Sequence, residues 1–303
     1  MSNKIKSTGS DRVFLFINSV LLIALFVILL YPMWFVLIAS VSNPTLVSTG
    51  KVLFWPKGFT LGGYERVLSF GDLWIGYGNT LFYTVAGTTL NLAATLPCAY
   101  ALSRKDMPGR GFIMTLFLIT MYFGGGLIPS YLNVKELGLN NTRAIMLING
   151  LVSTFNIIVC RTFFATAIPW ELHEAAHVDG CSDFRIFLKI ILPLSMPIVV
   201  VMSLYYGVGR WNSYFEAMIY LKDRSMYPLQ LFLREILIQS DVSKKMLMEV
   251  TDARTMQALF AQADVANLAK YCVIVVSTLP MMLIYPWLQR FFAKGVMIGS
   301  IKG

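Results

Sequence analysis

The chain has 303 residues, of which 56% are hydrophobic and 14% charged, with a formal net charge of +9. Soluble domains carry roughly 25% charged residues, so this deficit excludes an ordinary soluble enzyme and points to a membrane bundle. The Lys and Arg residues form no basic block, which leaves nucleic acid without a footprint. Cys98, Cys160, Cys181 and Cys272 make no C-x-x-C pair and no disulfide framework, and read as small buried hydrophobes.

A membrane-spanning helix needs about 20 mostly apolar residues. Six stretches qualify, at 13–40, 78–103, 112–132, 144–164, 194–221 and 268–292. The predicted fold is therefore all-α: one polytopic domain, residues 1–303, with six transmembrane helices. The first stretch is too long for the roughly 7–15-residue core of a secretory signal, so it reads as a retained anchor. The loop 41–77, with "FWPKGFTLGGYERVL", is rich in Gly, Pro and aromatics and is expected to pack against the outer membrane face. In the third stretch, Gly124-Gly125-Gly126 permits a helix break. The fourth and fifth are polar enough to suggest burial inside the bundle. Segment 222–267 shows helical periodicity in "PLQLFLREILIQ" and in "TMQALFAQADVANL", which predicts two amphipathic helices on the outer surface.

Lys and Arg counts in the loops set the orientation. With the N-terminus inside, the inner side holds Lys4, Lys6, Arg12, Arg104, Lys105, Arg110, Arg161, Arg185, Lys189, Arg290, Lys294 and Lys302. The short outer loops hold Lys51, Lys57, Arg66, Lys135 and Arg143. Both termini come out cytoplasmic, and the basic excess is mostly this positive-inside signature. The long outer segment does not vote, because long loops translocate regardless of charge.

The connection 165–193 between the fourth and fifth stretches carries the chemistry-bearing residues. Pro169 suits a first helical turn, with Glu171 and Glu174 near its positive end. Gly180 suits the stop, and Ser182 suits the cap of a second helix beginning at Asp183. Phe184, Phe187, Leu188 and Ile191 recur at helical spacing until Pro193. The prediction is a helix–turn–helix lying on the inner membrane face.

Two patterns compete within "LHEAAHVDG". His173, Glu174 and His177 spell H-E-x-x-H, which places two imidazoles and a base on one helix face around zinc. Three fixed positions arise by chance in roughly one such chain in a hundred. These are also the chain's two histidines, which leaves no third imidazole. Glu174-Ala175-Ala176, Gly180, Ile190 and Leu192-Pro193 instead fit E-A-A-x3-G-x9-I-x-L-P without a gap. Seven fixed positions recur by chance on the order of once in a million chains.

This longer pattern resembles the permease subunit of bacterial ATP-binding-cassette importers, in which the segment is the coupling helix that docks on an ATPase subunit. "GRWNSYFEAMIYLKD" and "YPWLQRFFAKGVMIGSIKG" resemble the carbohydrate-uptake branch, the second permease of maltose-type importers. "MYFGGGLIPSYLNVKELGLNNT" is similar to the subgroup of YtcP/LplC-like permeases for complex oligosaccharides. Cys181 departs from the family, which more often has alanine there.

The resemblance implies a type I importer permease fold and a complex of two homologous permeases, two ATPase subunits and an extracytoplasmic sugar-binding protein; the alternative within the superfamily is a non-sugar cargo such as amino acids, peptides or phosphate. It implies no catalytic residue, metal or cofactor in this chain. ATP and Mg belong to the ATPase partners, in keeping with the lack of a G-x-x-x-x-G-K-[ST] phosphate loop. Glu174, Ala175, Ala176, Asp179 and Gly180 become the docking residues, although either alanine also suits packing onto its own bundle. In the fifth stretch Arg210, Asn212 and Glu216 are costly in hydrocarbon and mark a cavity or pathway. Trp211, Tyr214 and Phe215 beside them offer faces on which sugar rings stack; interfacial belts and an Arg210–Glu216 structural pair are the alternatives. In related second permeases the tail enters the ATPase dimer interface, which the resemblance implies for 294–303; a frayed tail is the alternative.

Overall fold

A computed structural model of the chain describes residues 9–249 and 269–286. These residues pack as two units, divided at positions 69/70, 234/235 and 277/278.

In the first unit, α1 (Gly9–Ser40) leaves its Phe, Leu and Ile side chains exposed and buries only Ile38, Ala39 and Ser40. That distribution suits a helix surrounded by lipid. The chain then turns through α2 (Pro44–Ser48) and α3 (Gly62–Leu68) and folds back along the end of α1. Trp34 Nε1 donates to the Phe54 carbonyl at 2.9 Å, and Tyr31 Oη donates to that of Leu53 at 3.3 Å. Ser40 Oγ and Tyr64 Oη share a 2.7 Å hydrogen bond. Phe35 meets Tyr271 edge to face at 5.9 Å, and the Cys272 thiol donates to the Ser40 carbonyl at 3.3 Å.

The second unit is organised by α4 (Gly71–Ser103). One face of α4 buries Gly76, Asn79, Thr80, Tyr83, Gly87, Asn91 and Thr95 at three- and four-residue spacing, a stripe of small and polar groups. The side chains of this stripe make hydrogen bonds to neighbouring elements. Asn79 Nδ2 donates to the carbonyls of Ser225 and Tyr227 at 2.7 and 3.0 Å, and Tyr83 Oη to that of Met226 at 2.9 Å. Thr80 Oγ1 accepts from the Leu229 N–H at 2.8 Å, and Thr95 Oγ1 shares a 2.7 Å bond with Tyr206 Oη. Below that stripe, Leu96, Ala99, Tyr100 and Leu102 enter an apolar core with Ile157, Cys160, Phe164, Ala176, Ile186, Phe187 and Ile191.

Several stretches expected as single spans are broken helices. The third divides into α5 (Arg110–Tyr122) and α6 (Leu127–Glu136), bent by 113° across the three glycines. Gly126 there has φ +84°, a conformation L side chains avoid. The fourth divides into α7 (Arg143–Ile148) and α8 (Thr154–Ala167), with residues 149–153 non-helical and Gly150 at φ +65°. At 14 residues α8 is about 21 Å long, short of the bilayer core by itself. After α9 (Glu171–Val178), the chain forms α10 (Asp183–Ile186), a π-helical turn (Phe187–Ile191) and α11 (Leu192–Leu194).

Pro193 stands one residue before this continuous run ends at Leu194, in line with the stop expected there. An 83° bend follows before α12 (Met196–Trp211), and α13 (Tyr214–Tyr220) begins after a further break at Asn212–Ser213. The fifth stretch is thus α12 plus α13 rather than one helix. Next, α14 (Leu229–Glu249) matches and extends the first amphipathic helix. The last described helix is α15 (Ala269–Pro286).

Among the described residues, α1, α4 and α15 are long and apolar enough to cross a membrane, and the two bent pairs qualify only when each is taken as one span. The second amphipathic helix expected in 222–267, the end of the 268–292 stretch and the tail 294–303 lie outside the described residues.

Candidate functional site

Helix α9 is short and two-faced. His173 and Ala176 are buried, the latter 4% exposed within the core that holds Tyr100 and Phe187. Glu171, Glu174, Ala175, Val178 and Asp179 are exposed, Val178 at 88%. Glu171 and Glu174 lie in the first turn, where the helix dipole favours acid. The helix ends in a Schellman turn: the Cys181 N–H bonds the Ala176 carbonyl at 2.9 Å, and the Gly180 N–H bonds that of His177 at 3.0 Å. Gly180 adopts φ +74° with nothing within 4 Å of where a Cβ would stand, so glycine is needed for its backbone conformation alone.

The inner face of α9 is fastened at several points. The His173 ring stacks between Trp170, 4.9 Å away, and Tyr100, 5.7 Å away. Burial, and then the nearby Arg104 charge, hold its pKa below the usual imidazole value. His177 Nε2 lies 3.2 Å from Asp183 Oδ1, and Arg104 Nη1 binds the same oxygen. Arg104 also grips Asp106 with a fork, Nε to Oδ1 at 2.9 Å and Nη2 to Oδ2 at 2.5 Å. This fork holds the Asp106 carboxyl below its ordinary pKa. Ser182 occupies the cap position before α10 but makes no side-chain capping bond, contrary to expectation. Beside this cluster opens a cavity of about 530 Å³ lined by Tyr100, Arg104, Asp106, Met107, Phe184 and Phe187 among others.

This geometry gives the zinc alternative no support. The His173 ring is enclosed by aromatic faces, and His177 is spent on Asp183. Among the described residues no three His, Cys, Asp or Glu side chains are grouped to hold a metal.

The second predicted cluster divides in two. Arg210 is buried, and its guanidinium ties the fourth span together. Nη1 donates to the Met146 carbonyl at 2.7 Å, Nη2 to that of Leu147 at 3.0 Å, and Nε to Asn91 Oδ1 at 3.1 Å. Carbonyls 146 and 147 belong to the last turn of α7, where no intrahelical donor exists and a cation is favoured. Asn91 Nδ2 donates to the Gly150 and Leu151 carbonyls at 2.9 and 2.6 Å, which satisfies the break itself. Glu216 Oε1 accepts from Asn149 Nδ2 at 2.8 Å. Trp211 is 3% exposed and packs edge to face on Tyr77 at 6.3 Å.

The other members face outward. Tyr214 and Phe215 are exposed neighbours, with the Arg234 guanidinium 5.8 Å above the Tyr214 ring. Asn212 is exposed, and its Nδ2 bonds the Val208 carbonyl at 3.0 Å. So Arg210, Glu216 and Trp211 are tied into the bundle, whereas Asn212, Tyr214 and Phe215 are exposed.

Asn79, Asn91 and Arg104 carry much of this architecture and escape a reading of the sequence for chemistry. The signal for the first two was present, in the small and polar residues repeating on one face of an apolar helix. For Arg104 only the Asp106 pairing is local; Asp183 lies 79 residues away.

Comparison with known proteins follows the same lines. A family profile described as "Binding-protein-dependent transport system inner membrane component" matches residues 73–298. Protein LplC of Bacillus subtilis (strain 168) is 37% identical over 98% of this chain and 97% of its own. The polygalacturonan/rhamnogalacturonan transport system permease protein YtcP of the same organism is 37% identical over 90% and 92%. Among solved structures, a chain from a bacterial ABC transporter involved in the import of the acidic polysaccharide alginate superposes with a TM-score of 0.83. It is 33% identical, with 94% of this chain and 99% of that chain covered.

Proposed function

Since this chain belongs to the family of inner membrane components of binding-protein-dependent transport systems, we propose that it forms half of the translocation pathway of an ATP-driven oligosaccharide importer. A second, homologous permease supplies the other half, two ATPase subunits bind and hydrolyse ATP with Mg, and an extracytoplasmic binding protein delivers the sugar. This chain hydrolyses nothing itself. Both termini and α9 lie on the cytoplasmic side, as the loop charges require. Relatives whose names carry polysaccharide or oligosaccharide cargo, matched over 90% or more of this chain, support a saccharide substrate.

The observation that carries this reading is the opposed facing of two adjacent alanines. Ala176 is packed into the permease's own core, and Ala175 is presented outward beside Glu174, Val178 and Asp179. A small residue there admits close approach by a partner, while Glu174 offers an anionic group to a basic side chain. On this reading α9 is the coupling helix. Asn212, Tyr214 and Phe215 then line the sugar path, and Arg210, Glu216 and Trp211 hold its wall.

The two alanines give the test. Ala175→Trp leaves a folded permease that no longer retains the ATPase on affinity purification. Ala176→Trp, by overpacking the core, reduces the yield of folded permease itself. Full ATPase recovery with Ala175→Trp would remove α9 from the docking surface.

A further inference from the structure

We infer that Arg104 is a positioning residue that fastens the coupling helix to the end of α4, so that movement imposed on α9 is delivered through α4 to the broken spans. The inference rests on the proposed role of α9 and adds to it the route by which force leaves that helix.

Arg104 is the C-cap of α4, and its side chain is 12% exposed. All three guanidinium nitrogens are engaged, two on Asp106 and one on Asp183. Its carbonyl accepts from Arg110 Nη1 at 3.0 Å, which ties the start of α5 to the same point. Asp183, the first residue of α10, also takes His177 from the last turn of α9. The chain Arg104–Asp183–His177 therefore joins three elements through one carboxylate oxygen. Isolated surface ion pairs are worth little, but a sheltered, forked arginine within a network is the case in which geometry is held.

What α4 does beyond this joint makes the connection consequential. At 33 residues it is about 50 Å long, enough to cross the bilayer with turns to spare. One turn above Arg104, Tyr100 stacks on His173 of α9. Higher on the same helix, Thr95 holds Tyr206 of α12, and Asn91 holds both the α7–α8 break and Arg210. Higher still, Asn79 and Tyr83 hold the segment that follows α13. A single helix thus touches the docking helix at one end and α7, α8 and α12 along its length. Arginine is specified because one planar fork serves two carboxylates; lysine reaches one at a time.

The test uses the complete importer, with both permeases, the ATPase dimer and the sugar-loaded binding protein in proteoliposomes, and measures sugar uptake and ATP hydrolysis on the same preparation. With Arg104→Gln the ATPase stays bound, and uptake falls about tenfold more than hydrolysis does, within the 5–150-fold typical of coupling between sites. Arg104→Lys falls between wild type and Gln. Asp183→Asn lowers sugar moved per ATP, and adding it to Arg104→Gln produces no further loss, since both act through one contact. Parallel falls in uptake and hydrolysis, additive losses in the double variant, or an unchanged ratio with Asp183→Asn would each overturn the inference. Should Arg104→Gln fail to assemble, Arg104→Lys and Asp183→Asn decide it by the same ratio. Wild-type chain that recruits no ATPase and moves no sugar would instead sink the functional reading beneath it.

Discussion

Asn91 and Arg210, 119 residues apart in sequence, meet through a 3.1 Å hydrogen bond inside the bundle and together satisfy four carbonyls of the broken fourth span. Each replaces the water that an interrupted helix would otherwise need within a membrane. Asn91→Leu leaves the Gly150 and Leu151 carbonyls and Arg210 Nε without this partner, and is expected to lower stability by about 1–3 kcal/mol. Arg210→Lys keeps the charge but loses the fork and destabilises similarly. Thermal unfolding of the detergent-solubilised protein measures both, and an unchanged midpoint for either would remove the clamp.

Two glycines on α4 separate packing from helix propensity. A Cβ at Gly87 would stand 2.9 Å from Arg210 Nε and 3.1 Å from its Cδ, whereas Gly78 has nothing within 4 Å. Gly87→Ala displaces the guanidinium and costs about 1–3 kcal/mol. Gly78→Ala gains about 0.5–1 kcal/mol from the helix backbone. Equal melting points for the two variants would show that Arg210 yields freely.

At the end of α9, Gly180 holds φ +74° with open space around it. Gly180→Ala therefore costs about 1–2 kcal/mol through the backbone alone, and Gly180→Asn costs less because asparagine tolerates this region. ATPase retained on affinity purification should decline in the order Gly, Asn, Ala. Retention independent of the residue would mean that the turn does not shape the docking surface.

His173 supplies a pH dependence whose direction follows from its surroundings. Its pKa is lowered by burial and then by Arg104, with Asp106 and His177 as the other facing charges. An unfolded histidine titrates near about 6.5. The folded protein therefore binds fewer protons than the unfolded one just below that pH, so the stability of this site falls as pH drops from about 6.5 through the lower folded value. Hydrogen exchange of the α9 amides should accelerate over that window. His173→Phe, which keeps a flat ring in the stack, should flatten the response. Acceleration persisting in His173→Phe would assign the effect to another group.

Much of this architecture was legible because it is local. The three glycines before Leu127 announced a break, and the 113° bend lies there. Gly180 announced a helix stop, and the Schellman turn closes on it. Breaks without a local cause were not legible. Residues 149–153 and Asn212–Ser213 lie in apolar stretches that read as continuous helix; the distant Asn91 amide meets the Gly150 and Leu151 carbonyls of the first break, and bonds within the turn close the second. The same limit applies to the functional residues. The three neutral acceptors of Arg210, and the Asp183 partner of Arg104, all lie far away in sequence.

By itself the sequence determined the all-α class, the run of apolar stretches, and the E-A-A-x3-G connection with its turn, since hydrophobic length, spacing and backbone tolerance act within a few residues of one another. Only the tertiary structure decided which alanine faces outward, which spans are broken, and which charges hold the frame. Those outcomes depend on desolvation and on hydrogen-bond partners contributed by elements 59 to 119 residues away, and no window along the chain contains both members of such a pair.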